Sequence, residues 1–251
     1  MRIDVISLFP DLVQQVIQFG IPARACKQNS LQLKCWNPRD FTTDIHRTVD
    51  DRPFGGGPGM VMKFEPVSAA LRAARSENPA KRVYLTPQGE PITQARLQQA
   101  AQDNGLILLA GRYEGIDERI VESEIDEEWS LGDYVLSGGE LAAMVVIDAV
   151  SRLLPEVLGH ELSAEQDSFM AGLLDCPHYT RPEEIEGMGV PAILMSGNHQ
   201  AIEQWRRKQA LGRTWQRRPD LIQQLELTPQ QQELLKQYQQ ELTDSHRSDF
   251  E

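Results

Sequence analysis

The feature that most constrains the fold is an alternation of short apolar runs with helix-like segments over the first two-thirds of the chain. Apolar strands that alternate with helices are typical of a parallel sheet covered by helices on both faces. The chain is therefore predicted to begin with an α/β domain. Strands are predicted at Arg2–Phe9, Leu31–Trp36, Arg82–Thr86, Leu106–Ala110 and Asp133–Leu136. Helices are predicted near Asp11–Gln18, Glu65–Arg75, Thr93–Gln102 and Ile116–Ser123, and a long apolar segment, Glu140–Leu154, follows the last predicted strand.

The character of the chain changes after Pro155. The segment Glu156–Gly172 is polar and mixed and is interpreted as a linker, and the pattern beyond it is helical without a convincing strand. Thr228 and Gln231 enclose a Pro and predict a helix that begins with reciprocal capping. The expected organisation is an α/β domain over residues 1–155, a linker over 156–172 and a small all-α domain over 173–251.

Cysteine usage indicates a protein of the reducing cytoplasm. Cys26, Cys35 and Cys176 are scattered without a Cys-x-x-Cys pair, which argues against a disulfide framework and against a structural zinc site. No apolar run approaches the roughly 20 residues that span a bilayer, so no membrane partner is expected. An Asp interrupts the short apolar run at the amino terminus, which is interpreted as a strand rather than a signal peptide.

The charge distribution leaves a nucleic-acid partner open. The formal net charge is −12, whereas proteins that neutralise phosphates usually carry excess Lys and Arg. Residues 196–219 are nevertheless basic, with Glu203 as their acid; the cations are Arg206, Arg207, Lys208, Arg213, Arg217 and Arg218. Local patches steer polyanions more than the total charge does, but a charge run is also typical of a solvated helix face.

Three loops that follow predicted strands are candidates for a ligand site, because parallel α/β sheets bind ligands beyond the carboxyl ends of their strands. They are Thr86–Gly89, Gly111–Gly115 and Leu136–Glu140. Glycine lets a ligand approach the backbone closely, although these glycines could equally form simple turns. Another Gly-rich stretch, 54–59, lies in the long, weakly periodic segment Asn37–Lys63, and such segments are often functional. The sequence lacks the motifs of P-loop hydrolases, Rossmann oxidoreductases, zinc proteases and serine hydrolases.

Three polar residues have both a functional and a structural interpretation. Glu114 lies in a Gly-flanked loop after a strand, a position that suits a ligand-facing carboxylate. Asp167 lies in the linker and suits either a site residue or the N-cap of a helix that begins near Phe169. Arg152 follows Asp148 by four residues and could form an ion pair with it. The residues alone leave these alternatives open.

Several long strings stand out in order along the chain. They are Ser7–Pro10, Pro38–Asp40, His46–Met60, Gly111–Arg119, Gly132–Leu141, Asp167–Phe169, Leu174–Pro182 and Ser196–His199. Together they resemble the bacterial tRNA (guanine-N1)-methyltransferase family, and the similarity covers nearly the whole chain except its carboxyl terminus. Several long motifs in the right order are far more specific than any single pair of glycines.

The resemblance implies a fold that general topology rules would exclude. The family belongs to the knotted, SPOUT-type methyltransferases, whose chain forms a deep trefoil knot beside the site of the methyl donor, S-adenosylmethionine. It also implies an obligate homodimer with active sites shared between the subunits. The residues implied for donor binding are Tyr84, Leu85, Pro87, Gly111, Glu114, Leu131, Gly132, Tyr134, Leu136, Gly138 and Gly139.

The resemblance also assigns the acceptor side of the reaction. The substrate would be guanosine 37 in the anticodon loop of tRNA, with Asp167 as general base and Arg152 assisting it. Mg²⁺ is expected, with Glu114 and Asp167 as candidate ligands. Together with the basic stretch, the resemblance implies tRNA contacts at Asp50, Arg52, Gly59, Ser196, Gly197, Asn198, His199, Arg217 and Arg218.

Methyl-transfer chemistry explains why a carboxylate is needed. A sulfonium is already an activated donor, whereas N1 of neutral guanine carries a proton and is a poor nucleophile. A carboxylate must accept that proton, and a cation near O6, such as Arg152 or Mg²⁺, would stabilise the developing negative charge. Because N1 lies on the Watson–Crick edge, the target must be a splayed loop base.

Two other functions stay open at this point. One is that of another knotted RNA methyltransferase, for example an enzyme that acts on a ribose 2′-hydroxyl. The other is a non-catalytic RNA-binding protein with a vestigial pocket, against which the presence of both Glu114 and Asp167 argues.

Overall fold

A computed structural model describes residues 1–159 and 167–248, with side chains up to residue 244. The chain divides into two compact units, Met1–Glu161 and Leu162–Glu251. Residues 160–166 of the predicted linker lie outside the described residues. Among the residues that are described, no helix combines the length and the apolar character that a membrane crossing requires.

The first unit is built on a parallel sheet, as the alternating pattern predicted. Its described strands are β1 (Arg2–Ile6), β2 (Gln32–Trp36), β3 (Asp50–Asp51), β4 (Val61–Met62), β5 (Lys81–Pro91), β6 (Gly105–Ala110) and β7 (Glu127–Ser130). Within the described residues, five of these strands form the sheet in the order β2-β1-β6-β5-β7, and each neighbouring pair is parallel. Strands β3 and β4 form a separate antiparallel pair.

Helices cover both faces of the sheet. The described helices of this unit are α1 (Pro10–Gln14), α2 (Gly20–Lys27), α3 (Phe64–Glu77), α4 (Gln94–Gln102), α5 (Glu118–Glu124) and α6 (Glu140–Ser151), with 3-10 turns at Gln15–Ile17 and Pro38–Phe41. Buried residues alternate along β6: Leu106 and Leu108 join the core beneath α2, α4 and α6, whereas Ile107 and Leu109 join the core beneath α3 and α5. This period of two is the signature of a strand with both faces covered.

The last strand of the sheet was predicted at the wrong place. Asp133–Leu136 forms bends outside the sheet, and the strand is Glu127–Ser130. Two adjacent acidic residues hid it, because acidic residues are depleted in strands. The structure partners one of them: Glu127 accepts hydrogen bonds from Lys81 Nζ at 2.6 Å and from Trp129 Nε1 at 2.8 Å.

The segment after β1 also differs from the prediction. Strand β1 ends at Ile6 rather than Phe9, and the helix predicted at Asp11–Gln18 is α1 followed by a 3-10 turn. Helix α2 was not predicted, because Gly20 and Pro22 resemble helix breakers. Pro22 lies in the first turn of α2, where its missing N–H removes no helical hydrogen bond.

The second unit is mainly helical, but the expectation of an all-α domain was wrong. Its described helices are α7 (Ala192–Met195), α8 (His199–Arg217), α9 (Pro219–Gln223) and α10 (Pro229–Ser248), and a hairpin pairs β8 (Glu184–Ile185) with β9 (Met188–Gly189). Each strand of this hairpin is too short to show an alternating pattern. Its turn residues Glu186 and Gly187 have φ values of 53° and 79°, as a tight hairpin turn requires.

A small core joins α8 to α10. Leu211 of α8 packs with Leu234 and Leu235 of α10. The predicted capping of α10 is confirmed: the Thr228 backbone N–H donates to Gln231 Oε1 at 2.9 Å, and the Gln231 N–H donates to Thr228 Oγ1 at 3.3 Å. The sequence pattern therefore located the start of this helix.

Candidate functional site

A cavity of about 280 Å³ lies beyond the carboxyl ends of β6 and β7 and against the middle of β5. This is the edge of a parallel sheet at which ligands are expected. Two of the loops chosen from the sequence, Gly111–Gly115 and Leu136–Glu140, contribute to its wall. The prediction of a third loop at Thr86–Gly89 was wrong, because β5 continues to Pro91 with a register shift after Leu85. Residues 86–88 of this part of β5 still line the cavity. Its walls include every residue that the resemblance assigned to donor binding, namely Tyr84, Leu85, Pro87, Gly111, Glu114, Leu131, Gly132, Tyr134, Leu136, Gly138 and Gly139.

Two of these loops cross so closely that side chains are excluded. The Gly139 N–H donates to the Gly111 carbonyl at 2.9 Å, and a Cβ on Gly139 would lie 2.7 Å from the Cα of Ala110. A Cβ on Gly111 would lie 2.9 Å from the Tyr84 hydroxyl oxygen. Neither glycine has a positive φ, so a requirement of turn geometry does not explain them. Close packing explains them: Gly139 faces the backbone of Ala110, and Gly111 faces the Tyr84 side chain.

A buried polar network ties the same loops to the end of β1. Glu140, the first residue of α6, is fully buried. One of its carboxylate oxygens accepts from Ser7 Oγ at 2.8 Å, and the other accepts from Arg112 Nε at 2.8 Å. Arg112 Nη1 donates to the Ser137 carbonyl at 3.0 Å. The guanidinium also lies 4.5 Å from the centre of the Phe9 ring.

Among the described residues, the side chains of the cavity wall supply one acid, Glu114, and a buried phenol, Tyr84. Glu114 is exposed on the cavity wall, and its backbone N–H donates to the Met60 carbonyl at 3.0 Å. A Cβ on Gly59, a predicted tRNA contact, would overlap the Glu114 carboxylate. The long segment Asn37–Lys63 therefore contacts Glu114, a residue that the resemblance assigned to donor binding. Burial raises the pKa of Tyr84, so its hydroxyl stays protonated at neutral pH.

The two candidate catalytic residues lie in different units. Arg152, half-buried, follows α6 in the first unit. Asp167, half-buried in a turn of the second unit, lines a cavity of about 440 Å³ that Arg206 also lines. Phe169 has a φ of 73°, and no described helix begins there, so the helix-capping alternative for Asp167 was wrong. Glu114 belongs to the first unit, so neither unit alone contains both candidate Mg²⁺ ligands.

A cluster near Asp167 was discounted at the sequence level. Among the described residues, one ligand atom each of Asp175, Cys176 and His178 lies within 4.8 Å of the others. His178 Nε2 is already hydrogen-bonded to Asp175 Oδ2 at 2.7 Å, which accounts for the cluster without a metal. Burial raises the pKa of Cys176 and so favours the thiol, which is not the form that binds metals.

The predicted tRNA contacts are exposed on both units, with Asp50 half-buried in β3. In the first unit, exposed Arg52 precedes the Gly-rich stretch. In the second unit, Ser196–Asn198 forms the turn between α7 and α8, and His199 begins α8. Asn198 caps α8 by accepting from the Ala201 N–H at 3.1 Å. These residues therefore have a local structural role beside any contact with RNA.

The two predicted arginine contacts differ in their surroundings. Arg217 ends α8 and is exposed. Arg218 donates from Nε and Nη2 to Asp220 at 2.9 and 2.7 Å, which partly neutralises its charge. Sequence reasoning treated the two as equivalent.

Sequence reasoning missed the buried network as a set. Ser7, Arg112 and Glu140 each lie in a string that carried the resemblance, but none was assigned a role. Their separation along the chain hid the contact. One signal was available in the sequence: Arg112 and Glu140 have opposite charges, and each lies in a loop that was chosen as a candidate for the ligand site.

Comparison with known proteins identifies the family of this chain. Residues 1–224 match the model of the family described as tRNA (Guanine-1)-methyltransferase TrmD. Two similar relatives, both named tRNA (guanine-N(1)-)-methyltransferase, come from Aeromonas hydrophila subsp. hydrophila and Pseudoalteromonas atlantica. The first is 60% identical over 98% of this chain and 99% of the relative, and the second is 59% identical over 97% and 93%. The chain belongs to the tRNA (guanine-N1)-methyltransferase family.

Proposed function

We propose that this protein transfers a methyl group from S-adenosylmethionine to N1 of guanosine 37 in the anticodon loop of tRNA, and that it does so in the cytoplasm. The observation that carries the proposal is the cavity at the carboxyl edge of the sheet, which gathers all the residues assigned to donor binding. Family membership supplies the reaction class.

The cavity suits the proposed donor chemically. Leu85, Leu131 and Leu136 offer apolar surface to a purine ring, and the tightly crossed loops present backbone N–H and C=O groups to its polar edge. Glu114 is the acidic side chain among the described residues of the cavity wall and can attract the cationic groups of the donor. When bound, the donor supplies an activated methyl group.

Asp167 and Arg152 carry the acceptor chemistry in this proposal. The Asp167 carboxylate accepts the proton from N1, and Arg152 stabilises the charge that develops at O6. Mg²⁺, held by Glu114 and Asp167, would add charge stabilisation. Because these two acids belong to different units, the fit of a metal is supported by their chemistry rather than by a shared geometry.

Two further parts of the proposal concern assembly and topology. Leu141 and Val145 leave about half of their side chains exposed on α6, at 49% and 50%, which supports a homodimer that covers this face. Membership of the family supports a trefoil knot at the donor cavity, where two loops cross at Gly139.

The second unit would hold the tRNA. Exposed cations on α8 attract phosphates, and the exposed turn before α8 offers hydrogen-bonding groups to a nucleotide. Tyr179 and Trp205, whose ring centres are 6.3 Å apart, add aromatic surface of the kind on which unpaired bases stack.

The decisive test is methyl transfer to an unmodified tRNA transcript. We expect labelled methyl groups in a transcript with guanosine at position 37 and none when adenosine replaces it. Nucleoside analysis should find 1-methylguanosine. A 2′-O-methylated nucleoside, or transfer that ignores position 37, would reject the proposed product. Binding of tRNA without any donor binding would indicate a non-catalytic RNA-binding protein.

A further inference from the structure

The network formed by Ser7, Arg112 and Glu140, called here the Arg112 network, connects three separate parts of the first unit. Ser7 follows β1, Arg112 follows β6, and Glu140 begins α6. Arg112 and Glu140 lie in the two loops that cross at the donor cavity; Arg112 lines its wall, whereas Glu140 and Ser7 lie behind the wall. The contacts therefore fix one cavity loop against the other, and both against the sheet.

Burial makes the network sensitive to any missing partner. The Glu140 side chain is 1% exposed and that of Arg112 is 20% exposed. A buried carboxylate is tolerated only when its oxygens are hydrogen-bonded, and the loss of one partner leaves an uncompensated charge. Both oxygens of Glu140 are occupied, and its place in the first turn of α6 adds the favourable field of a helix N-terminus.

The arginine is also shaped to fit this place. Its side chain lies directly over Gly138, where a Cβ would overlap the guanidinium, and Phe9 covers the guanidinium carbon at 4.5 Å. Its Nε and Nη1 bind different partners, Glu140 and Ser137. A lysine has a single ammonium in place of this planar fork and cannot reproduce both directions.

We propose that the Arg112 network positions the methyl donor indirectly: it holds the Gly111–Gly115 and Leu136–Glu140 loops at the spacing that donor binding requires. This inference rests on the proposed function, because it takes the cavity to be the donor site. The three residues are positioning residues, not catalytic ones. Breaking the network raises the KM for the donor and leaves kcat at saturating donor nearly unchanged.

The test measures donor binding by calorimetry on the full-length protein, using S-adenosylmethionine itself, beside thermal unfolding of each variant. We expect Arg112→Lys to weaken donor binding about tenfold or more, because charge-assisted hydrogen bonds are lost. Ser7→Ala removes one neutral donor and should weaken binding by about three- to tenfold. Arg119→Gln is the matched control: Arg119 pairs with Asp117 at the surface, is 69% exposed and should bind the donor like the wild type.

A double variant separates the network from a general loss of stability. The combined loss of donor affinity in Arg112→Gln with Glu140→Gln should be smaller than the product of the two single losses, because both break the same contact. The Kd for tRNA should not change.

Folded Arg112→Lys and Ser7→Ala variants that bind the donor within about twofold of the wild type would overturn the inference. If the Arg112 variants do not fold, Ser7→Ala decides alone. A wild-type protein that binds no donor would overturn the proposed function itself, and is recognised before any variant is made.

Discussion

At the scale of single residues, close packing explains two glycines of the cavity loops, Gly111 and Gly139. The glycines of the cavity loops could have been turn formers, but Gly111 and Gly139 have negative or extended φ values and lie where two backbones meet. No pattern in one sequence reveals which remote backbone a glycine faces. The site residues themselves were found only because long strings resembled a family; their spacing alone would not have selected them.

Adding one methyl group at the loop crossing should therefore be costly. Gly139→Ala would place a Cβ 2.7 Å from the Ala110 Cα, which is backbone and cannot rotate away. We expect a loss of about 1–3 kcal/mol in the free energy of unfolding, together with weaker donor binding. Gly159→Ala is the control in the same unit, since its Cβ would meet only the end of Arg24 at 3.6 Å. Equal melting temperatures for the two variants would contradict the close approach of the two cavity loops at Gly139.

The proposed general base is tested by Asp167→Asn. An amide keeps the shape of the carboxylate but cannot accept the N1 proton, so turnover should be abolished while donor affinity stays nearly intact. Single-turnover kinetics and calorimetry measure the two quantities. A loss of donor affinity as large as the loss of rate would instead indicate a structural role for Asp167.

At the scale of elements, the sequence patterns predicted those helices and strands whose burial or capping depends on neighbouring residues in the sequence. The central strand β6, α3, α4 and the capped start of α10 were placed closely because burial and capping leave local signals. Strand β7 was misplaced because one of its two acids, Glu127, is stabilised by a residue distant in sequence, Lys81. The β8–β9 hairpin was missed because two residues per strand carry no period. Local patterns therefore fail where tertiary partners provide the stabilisation.

The end of α8 gives a prediction about tRNA binding. Arg217→Glu with Arg218→Glu should weaken tRNA binding and flatten its salt dependence, because each lost phosphate contact removes about 0.7–0.9 from the slope of log K against log salt. Of the two single changes, Arg217→Glu should weaken binding more than Arg218→Glu, because Arg218 already forms an ion pair with Asp220. Filter binding at several salt concentrations measures both slopes. An unchanged slope in the double variant would show that this helix end is only a solvated surface.

At the scale of the whole molecule, the proposed active site needs residues from both units. Asp167 and the donor cavity belong to different units, and family resemblance implies that the neighbouring subunit completes each site. A homodimer with shared sites has a specific consequence, because two different defects can be separated by mixing subunits.

Subunits with Asp167→Asn and subunits with Gly139→Trp should each be inactive as homodimers. A heterodimer would combine one intact cavity with one intact Asp167, and should recover about half of the wild-type activity if the sites are independent. Differently tagged subunits allow the heterodimer to be purified and assayed. Heterodimers that bind tRNA but have no more activity than the parents would show that each site is built within one chain. A monomer at assay concentration would give the same answer.

The strand order also has a consequence during synthesis. Strand β1 pairs with β2 on one side and with β6 on the other, and Ile3 lies opposite Leu106. At a translation rate of about 5–20 residues per second, the roughly one hundred residues between them take about 5–20 s to emerge from the ribosome. For that time the backbone N–H and C=O groups of β1 that later pair with β6 have no strand partner, and they are open to pairing with another nascent chain. The amino-terminal segment is therefore where we expect a chaperone that binds nascent chains to be needed, and where slowed elongation would be most harmful.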